Sequence, residues 1–341
     1  MLLKKLTEAM GPSGFEDEVR QIIYEEIKDH VDRVYTDSMG NLIAEKDGSL
    51  EGPKVMVCAH MDEVSFMIVH IEETGMLRFR PIGGVDPRVL VSKPLRIGEK
   101  KIYGVIGAKP YHLQSGAERD KPLAIDDMFI DIGATSRQDA EKYVKLGDVA
   151  VFTTEYEEIA PRIAKAKSFD DRVGCAIMIE TLKKSFALPL SFVFTVQEEI
   201  GLRGVGPATY AVKPDIALVL ESTVCFDAVD AVAHGQGTVL GQGPALSVID
   251  ASTIANRAVL QAIIRTAENH NIPYQFRRVS GGGNDAGRIH NIREGVAVGA
   301  ISVPTRYIHS PAQVINLDDY EHTVRLVEAF LRAIEKGEVR L

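Results

Sequence analysis

The sequence predicts an α/β fold, a mostly parallel sheet flanked by helices on both faces, with a small β-rich module inserted into it. Three observations point there. The apolar runs at residues 54–60, 191–198, 216–221 and 296–303 include several that are continuous rather than alternating, as strands covered on both faces are. The outer parts of the 341-residue chain alternate strand-like with helical segments, the pattern of a sheet wrapped by helices. Between about residues 67 and 158 the segments become short, β-like and broken by Gly and Pro, which marks a different kind of structure.

The elements follow in order. Residues 54–60 (KVMVCAH) end in His60, and the chain continues into Asp62. The middle stretch holds MLRFRPIGG, KPLRIGEKKIYGVIGAK, DMFIDIGA and DVAVFTTE, interrupted by one helical piece, SRQDAEKYVKLG. A stretch of this length requires its own core, and insertion is tolerated where the host's chain ends lie together at its surface. We therefore expect a catalytic domain over 1–66 plus 162–341 and an inserted β-rich domain over 67–161. In AKSFDDRVGCAIMIETL, Val173, Ala176 and Ile177 stand at helical spacing, so a helix begins near Asp171. The last helix is marked by Tyr320, Val324, Val327, Leu331 and Ile334, between Asp318 and Gly337.

Composition excludes several classes. Hydrophobic residues are 45% and charged residues 26%, ordinary for a globular protein. No apolar run has the length of a membrane span, and the N-terminus shows neither a signal-peptide core nor a cleavage site; a cytoplasmic location is the default expectation. A net charge of −9 without a basic stripe argues against nucleic acid. Cys58, Cys175 and Cys225 are widely spaced in apolar settings and read as buried free thiols. No CxxC pair suggests thiolate zinc.

The chemistry-bearing residues sit where apolar runs end. His60 and Asp62 are two apart and can share a face, an arrangement in which a carboxylate holds the far nitrogen of a metal-ligating imidazole. A helix cap accounts for one of Asp170 and Asp171, leaving Asp170 spare. Glu198 and Glu199 close the run at 191–198, where adjacent side chains of a strand would face opposite ways. Glu221 closes the next, and His309 lies in the loop after the last. Each alone reads as an exposed, charged strand end. Together they lie outside the carboxyl ends of strands, where open α/β sheets bind ligands, and their mixture of imidazole and carboxylate suits zinc or cobalt. They outnumber the three protein ligands of a mononuclear catalytic site, so a two-metal centre is expected. The stretch SGGGNDAGRIH fits neither a phosphate loop nor a dinucleotide fingerprint; it reads as a turn, or as a loop closing on substrate through Gly282, Asn284 and Asp285.

In these residues the chain resembles the tetrahedral (TET) aminopeptidases, the glutamyl/leucyl aminopeptidase-like co-catalytic metallopeptidases. GPSGFEDEVR, DSMGNLIA, AHMDEV, FDDRVG, VQEEIGLRG, LEST, GGGNDAGRIH and RYIHSP carry the resemblance in order, from residue 11 to residue 311. The resemblance implies a zinc-aminopeptidase-like fold with a PDZ-like insert. It implies that Asp170 bridges two divalent ions, Zn or Co, that His60 and Glu221 complete one site, and that Glu199 and His309 complete the other. Glu198 would be the general base and Asp62 would orient His60. The family often has Asp where this chain has Glu221, and Asn284 and Arg288 stand where some relatives carry other residues. The implied activity is removal of N-terminal residues from short peptides. Implied partners are peptides with a free N-terminus and further copies of the chain, as dimers through the insert assembling into a tetrahedral dodecamer. The alternatives are a dipeptidase or N-acyl amino acid hydrolase of the same metal chemistry, or an endoglucanase, a label some relatives carry.

Overall fold

The computed structural model describes residues 1–228, 231, 237–278 and 281–339. Ser280 of the glycine stretch and the last two residues of the expected catalytic domain lie outside them. In chain order the strands are β1 Arg33–Thr36, β2 Leu42–Lys46, β3 Val55–His60, β4 Ser65–Ile71, β5 Leu77–Ile82, β6 Pro94–Ile97, β7 Ile102–Ala108, β8 Met128–Asp131 and β9 Val149–Phe152. They continue with β10 Glu157–Ala160, β11 Ile163–Ala166, β12 Leu190–Thr195, β13 Ile216–Cys225, β14 Ala245–Leu246, β15 Gln275–Phe276, β16 Ala297–Arg306 and β17 Gln313–Asn316. The helices are α1 Leu2–Glu8, α2 Asp17–Ile27, α3 Gly116–Arg119, α4 Arg137–Ala140, α5 Phe169–Leu182, α6 Val205–Val212, α7 Arg257–Asn269, α8 Ala286–Ile289 and α9 Leu317–Glu335.

The large sheet runs β1-β2-β12-β3-β13-β16-β17-β11-β10. Its four central strands, β12, β3, β13 and β16, are mutually parallel. The flanks are antiparallel, which corrects the expectation of a mostly parallel sheet. The reason is local. β1–β2 and β10–β11 are hairpins across short turns, and such turns can only reverse the chain. Edge strand β10 exposes Glu157 and Glu158, a charged edge that discourages further pairing.

The continuous apolar runs are explained by two-sided burial. On β3, Val55, Val57 and Ala59 join the core under α5 and α9, while Met56 and Cys58 join the opposite core with Val205, Ala208, Ala286 and Ile289 of α6 and α8. Helix α5 is buried nearly all round, as befits a helix enclosed between the sheet and α1 and α9. Its buried Arg172 donates to Met61 O at 2.8 Å, Leu6 O at 2.6 Å and Glu63 Oε1 at 3.1 Å, and buried Lys167 meets both oxygens of Glu63 at 2.6 Å. These bonds lock the segment after His60 onto the N-terminal helix.

Six middle strands close a separate barrel, β4-β5-β8-β7-β6-β9. It has its own apolar core, in which Phe66 meets Phe79 and Phe152 edge-on at 5.2 and 5.3 Å. Leu77 and Phe79 point inward while Arg78 and Arg80 do not, the period of a one-sided strand. β4 already starts at Ser65 and β10 belongs to the large sheet, so the two sheets do not divide at residues 67 and 161. The expected helix in SRQDAEKYVKLG is a single short turn, α4, capped by Ser136. Cys58, Cys175 and Cys225 are buried free thiols. Among the described residues no helix is long and apolar enough to cross a membrane.

Candidate metal centre

Parallel strands of unequal length create the cleft. β3 ends at His60, which registers with Thr195, the last residue of β12. β13 and β16 run on together to Cys225 and Arg306. Glu221 is therefore not at a strand end, as the apolar run suggested, but in the middle of a strand that outlasts its neighbour. The sequence continues β-like through Ser222, Thr223 and Val224, so the loss of apolar character was a change of neighbour, not of conformation. The extension of β13, from Glu221 to Val224, becomes one wall of the cleft.

The carboxylates and imidazoles converge on Asp170. His60 Nε2 lies 3.3 Å from Asp170 Oδ1 and 3.7 Å from Glu221 Oε2; His309 Nε2 lies 3.1 Å from Asp170 Oδ2 and 3.2 Å from Glu199 Oε2. Two groups with metal-ligand spacing result, His60–Asp170–Glu221 and Asp170–Glu199–His309, which share one aspartate. Asp170 is free for this because Asp171 takes the capping role: Asp171 Oδ1 accepts Gly174 N at 3.0 Å, and neither aspartate has helical dihedrals. Asp170 N donates to Gln313 Oε1 of β17 at 2.8 Å, which ties the aspartate to the far side of the His309 turn. His309 itself has φ of 56°, a left-handed conformation that turns the chain back after β16.

The tandem glutamates do not extend a strand. β12 stops at Thr195, and Gln197 is left-handed at φ 57°, so the expectation of two opposite-facing strand residues is replaced by a turn. Its consecutive amides hang from side chains. Val196 N donates to Asn41 Oδ1 at 3.0 Å, Gln197 N to Glu16 Oε1 at 3.1 Å, Glu198 N to Asp62 Oδ1 at 3.0 Å and Glu199 N to Asp62 Oδ2 at 3.1 Å. Ser13 Oγ also donates to Asp62 Oδ2, at 2.6 Å. Asp62 reaches His60 as well: Nδ1 is 3.1 Å from Asp62 O and 3.4 Å from Oδ1. Ser13, Glu16 and Asn41 carry no signal in the sequence beyond the resemblance that GPSGFEDEVR and DSMGNLIA bear.

The electrostatics favour cations. Five carboxyl groups, Asp62, Asp170, Glu198, Glu199 and Glu221, surround two imidazoles. Burial pushes Glu198 and Glu221 well up and Glu199 to about 8, reinforced by neighbouring carboxylates. Burial also opposes ionised Asp170, but hydrogen bonds from His309 and His60 overcome it and hold that carboxyl below its usual range. Burial lowers His309, yet Asp170 and Glu199 carry it up to about 9. Glu199 Oε1 and Glu221 Oε1 are buried without a hydrogen-bond partner among the described residues, a costly state for a polar atom. Orphaned oxygens beside imidazoles in two triads are a donor set that fits hard-to-borderline divalent metals.

A cavity of about 370 Å³ opens from this centre, lined by His60, Asp170, Glu198, Glu221 and His309 at one end and by Gly282, Asn284 and Arg277 at the other. Arg277 is engaged by Gly281 O at 2.5 Å and Asp250 at 3.8 Å, so it shapes the glycine stretch. Asp285 is not at the cleft surface. The residue is 1% exposed and its carboxylate accepts from Thr195 Oγ1 at 2.7 Å beneath the floor, while Gly282 and Asn284 line the opening.

A family model for M42 glutamyl aminopeptidases matches residues 40–326. The chain is 33% identical over 345 residues to the lysyl aminopeptidase of Pyrococcus furiosus, a match covering 98% of this chain and 97% of that one. An aminopeptidase structure from the archaeon Desulfurococcus kamchatkensis is 37% identical with a TM-score of 0.95, over 100% of this chain and 97% of that one. The Pyrococcus horikoshii TET1 peptidase, described as assembling into a tetrahedron or a large octahedral shell, is 35% identical with a TM-score of 0.86, over 96% and 98%. The family model takes in each member of both triads, and with relatives alike from end to end the chain belongs to the M42 glutamyl aminopeptidase family of peptide hydrolases.

Proposed function

We propose that the cleft removes N-terminal residues from short peptides, with one divalent ion held by His60, Asp170 and Glu221, a second by Asp170, Glu199 and His309, and Glu198 as general base. The observation that carries this reading is the sharing of Asp170 between two triads whose outer carboxylates each keep an unpaired oxygen. Zinc or cobalt suits the donors. The chemistry supplied by such a pair when bound is Lewis acidity, which makes water a usable nucleophile at neutral pH and polarises a carbonyl.

The chain's own groups do the rest. Glu198 lines the cleft but belongs to neither triad. It takes a proton from the attacking water and returns it to the departing amine. Asp62 holds His60 through Nδ1, leaving Nε2 directed at Asp170. The acid-rich end of the cleft favours a free α-amine over an acylated one.

Metal analysis joined to paired substrates tests the reading. Chelation is expected to abolish release of the first residue from a free peptide, zinc or cobalt to restore it, and an N-acetylated peptide to resist. Preference for the acetylated peptide would point instead to an N-acyl hydrolase. Glucan cleavage surviving chelation would point to an endoglucanase, a chemistry that two carboxylates suffice for and that leaves the imidazoles unexplained.

The suspended turn gives a second expectation. Glu16→Ala removes the acceptor of Gln197 N and should let the Glu198 turn drift. A displacement of order 1 Å at a catalytic group costs up to about 10² in rate, so kcat should fall roughly tenfold with KM and metal content little changed. Glu16→Gln keeps an amide oxygen as acceptor and should recover most of the loss. Equal losses in both variants would make Glu16 a folding residue only.

We also propose that the barrel is the PDZ-like inserted domain and that it mediates dimers which build a dodecamer in the cytoplasm. On β7, Tyr103 and Val105 alternate outward and expose 65% and 46% of their surface, an apolar strip that pairing would cover.

A further inference from the structure

We infer that the substrate cleft continues past His309 into a second cavity walled by the barrel, that this cavity receives the peptide beyond the scissile bond, and that Lys93 meets the peptide's terminal carboxylate. The inference rests on the aminopeptidase reading of the metal centre. The second cavity measures about 400 Å³ and is lined by Asp86, Val89 and Lys93 from the barrel and by Tyr307, His309 and Pro311 from the turn after β16. Ile308 and His309 line the first cavity as well, so the two adjoin at His309. Both are of a size that takes small ligands.

The barrel segment is pressed against the centre. A Cβ built on Gly83 would stand 3.0 Å from Val64 Cγ1 and 3.3 Å from Glu199 Cβ, and one on Gly84 would stand 3.8 Å from His309 Nδ1. Gly83 also has φ of 85°, so glycine is required there for both conformation and approach. Residues 83–93 thus leave the centre directly into the second cavity.

Charge gives the direction. The first cavity holds the carboxylates of the centre. In the second, Asp86 is satisfied by Arg88, whose N, Nε and Nη2 donate at 2.9, 2.8 and 2.5 Å. Lys93 has no ion-pair or side-chain hydrogen-bond partner among the described residues, and its backbone is held by bonds to Leu90 O at 3.1 Å and from Ile106 N at 3.0 Å. An acidic end and a basic end, joined at His309, match the polarity of a short peptide lying with its amine at the metals and its carboxylate at Lys93.

The test uses peptides with one fixed first residue followed by one to four alanines, each as the free acid and as the C-terminal amide. The wild-type enzyme loaded with zinc or cobalt should prefer the acid in kcat/KM by roughly fivefold at the length that reaches Lys93, the scale of an exposed ion pair. Lys93→Ala should remove that preference and Lys93→Glu should reverse it. An acid-to-amide ratio that is the same in wild type and Lys93→Glu at every length overturns the inference. Wild-type failure to cleave any aminoacyl reporter would overturn the reading of the centre and this inference with it, and turnover with an unmoved ratio overturns this inference alone.

Discussion

Glu198→Gln is expected to retain the wild-type metal content and to lose hydrolysis by about 10² to 10⁴, the range a positioned general base contributes. The substitution is close to isosteric, and Glu198 N, which holds the turn to Asp62, is a backbone group that the change leaves in place. His60, Asp170, Glu199, Glu221 and His309 all keep their side chains, so both triads survive. What disappears is the one cleft-lining carboxylate outside the triads among the described residues. Its environment is burial first, then the opposing pull of His60, then Asp285 and Glu199. Metal stoichiometry measured on the same preparation as the initial rates checks both halves of the expectation. An active Glu198→Gln enzyme would remove Glu198 from the base role; an inactive one that had also lost metal would move it into the ligand set.

What was legible in the sequence and what was not divides along a physical line. The five triad residues could be found because each leaves an apolar run or a helix start with a charge that burial makes expensive, and such charges must meet somewhere. The central strands and α9 could be found because their hydrophobic periods differ. The glutamate turn could not be foreseen from period, because a left-handed Gln197 and bonds to Glu16, Asn41 and Asp62 set it, and those partners lie 136 to 181 residues away in the chain. Nothing local marks Ser13 or Glu16 as anything but polar residues near a turn. The mid-strand position of Glu221 is hidden for a related reason: strand β13 outlasting β3 is a property of register between strands, which a single run of residues does not carry. The same holds for the antiparallel flanks, whose direction is set by turn lengths, and for Asp285, where proximity to the glycine stretch suggested the cleft but Thr195 captures the carboxylate.

Asp170→Asn is expected to empty both triads, whereas His309→Ala should empty only one. The difference follows from position. Asp170 stands 3.3 Å from His60 Nε2 through one oxygen and 3.1 Å from His309 Nε2 through the other, so it alone belongs to both groups. An amide in its place keeps one acceptor oxygen and no charge, and its nitrogen, a donor only, would face one imidazole. His309→Ala leaves His60, Asp170 and Glu221 untouched. Bound metal should therefore drop toward zero in the first variant and by one ion per chain in the second. Thermal unfolding with and without chelator gives an independent reading, because a ligand that binds only the folded chain stabilises it by mass action. The wild-type midpoint should fall on chelation, the His309→Ala midpoint should fall by less, and the Asp170→Asn midpoint should not move. Asp170→Asn with metal content equal to wild type would contradict a shared aspartate and leave the two triads as unrelated clusters that happen to adjoin.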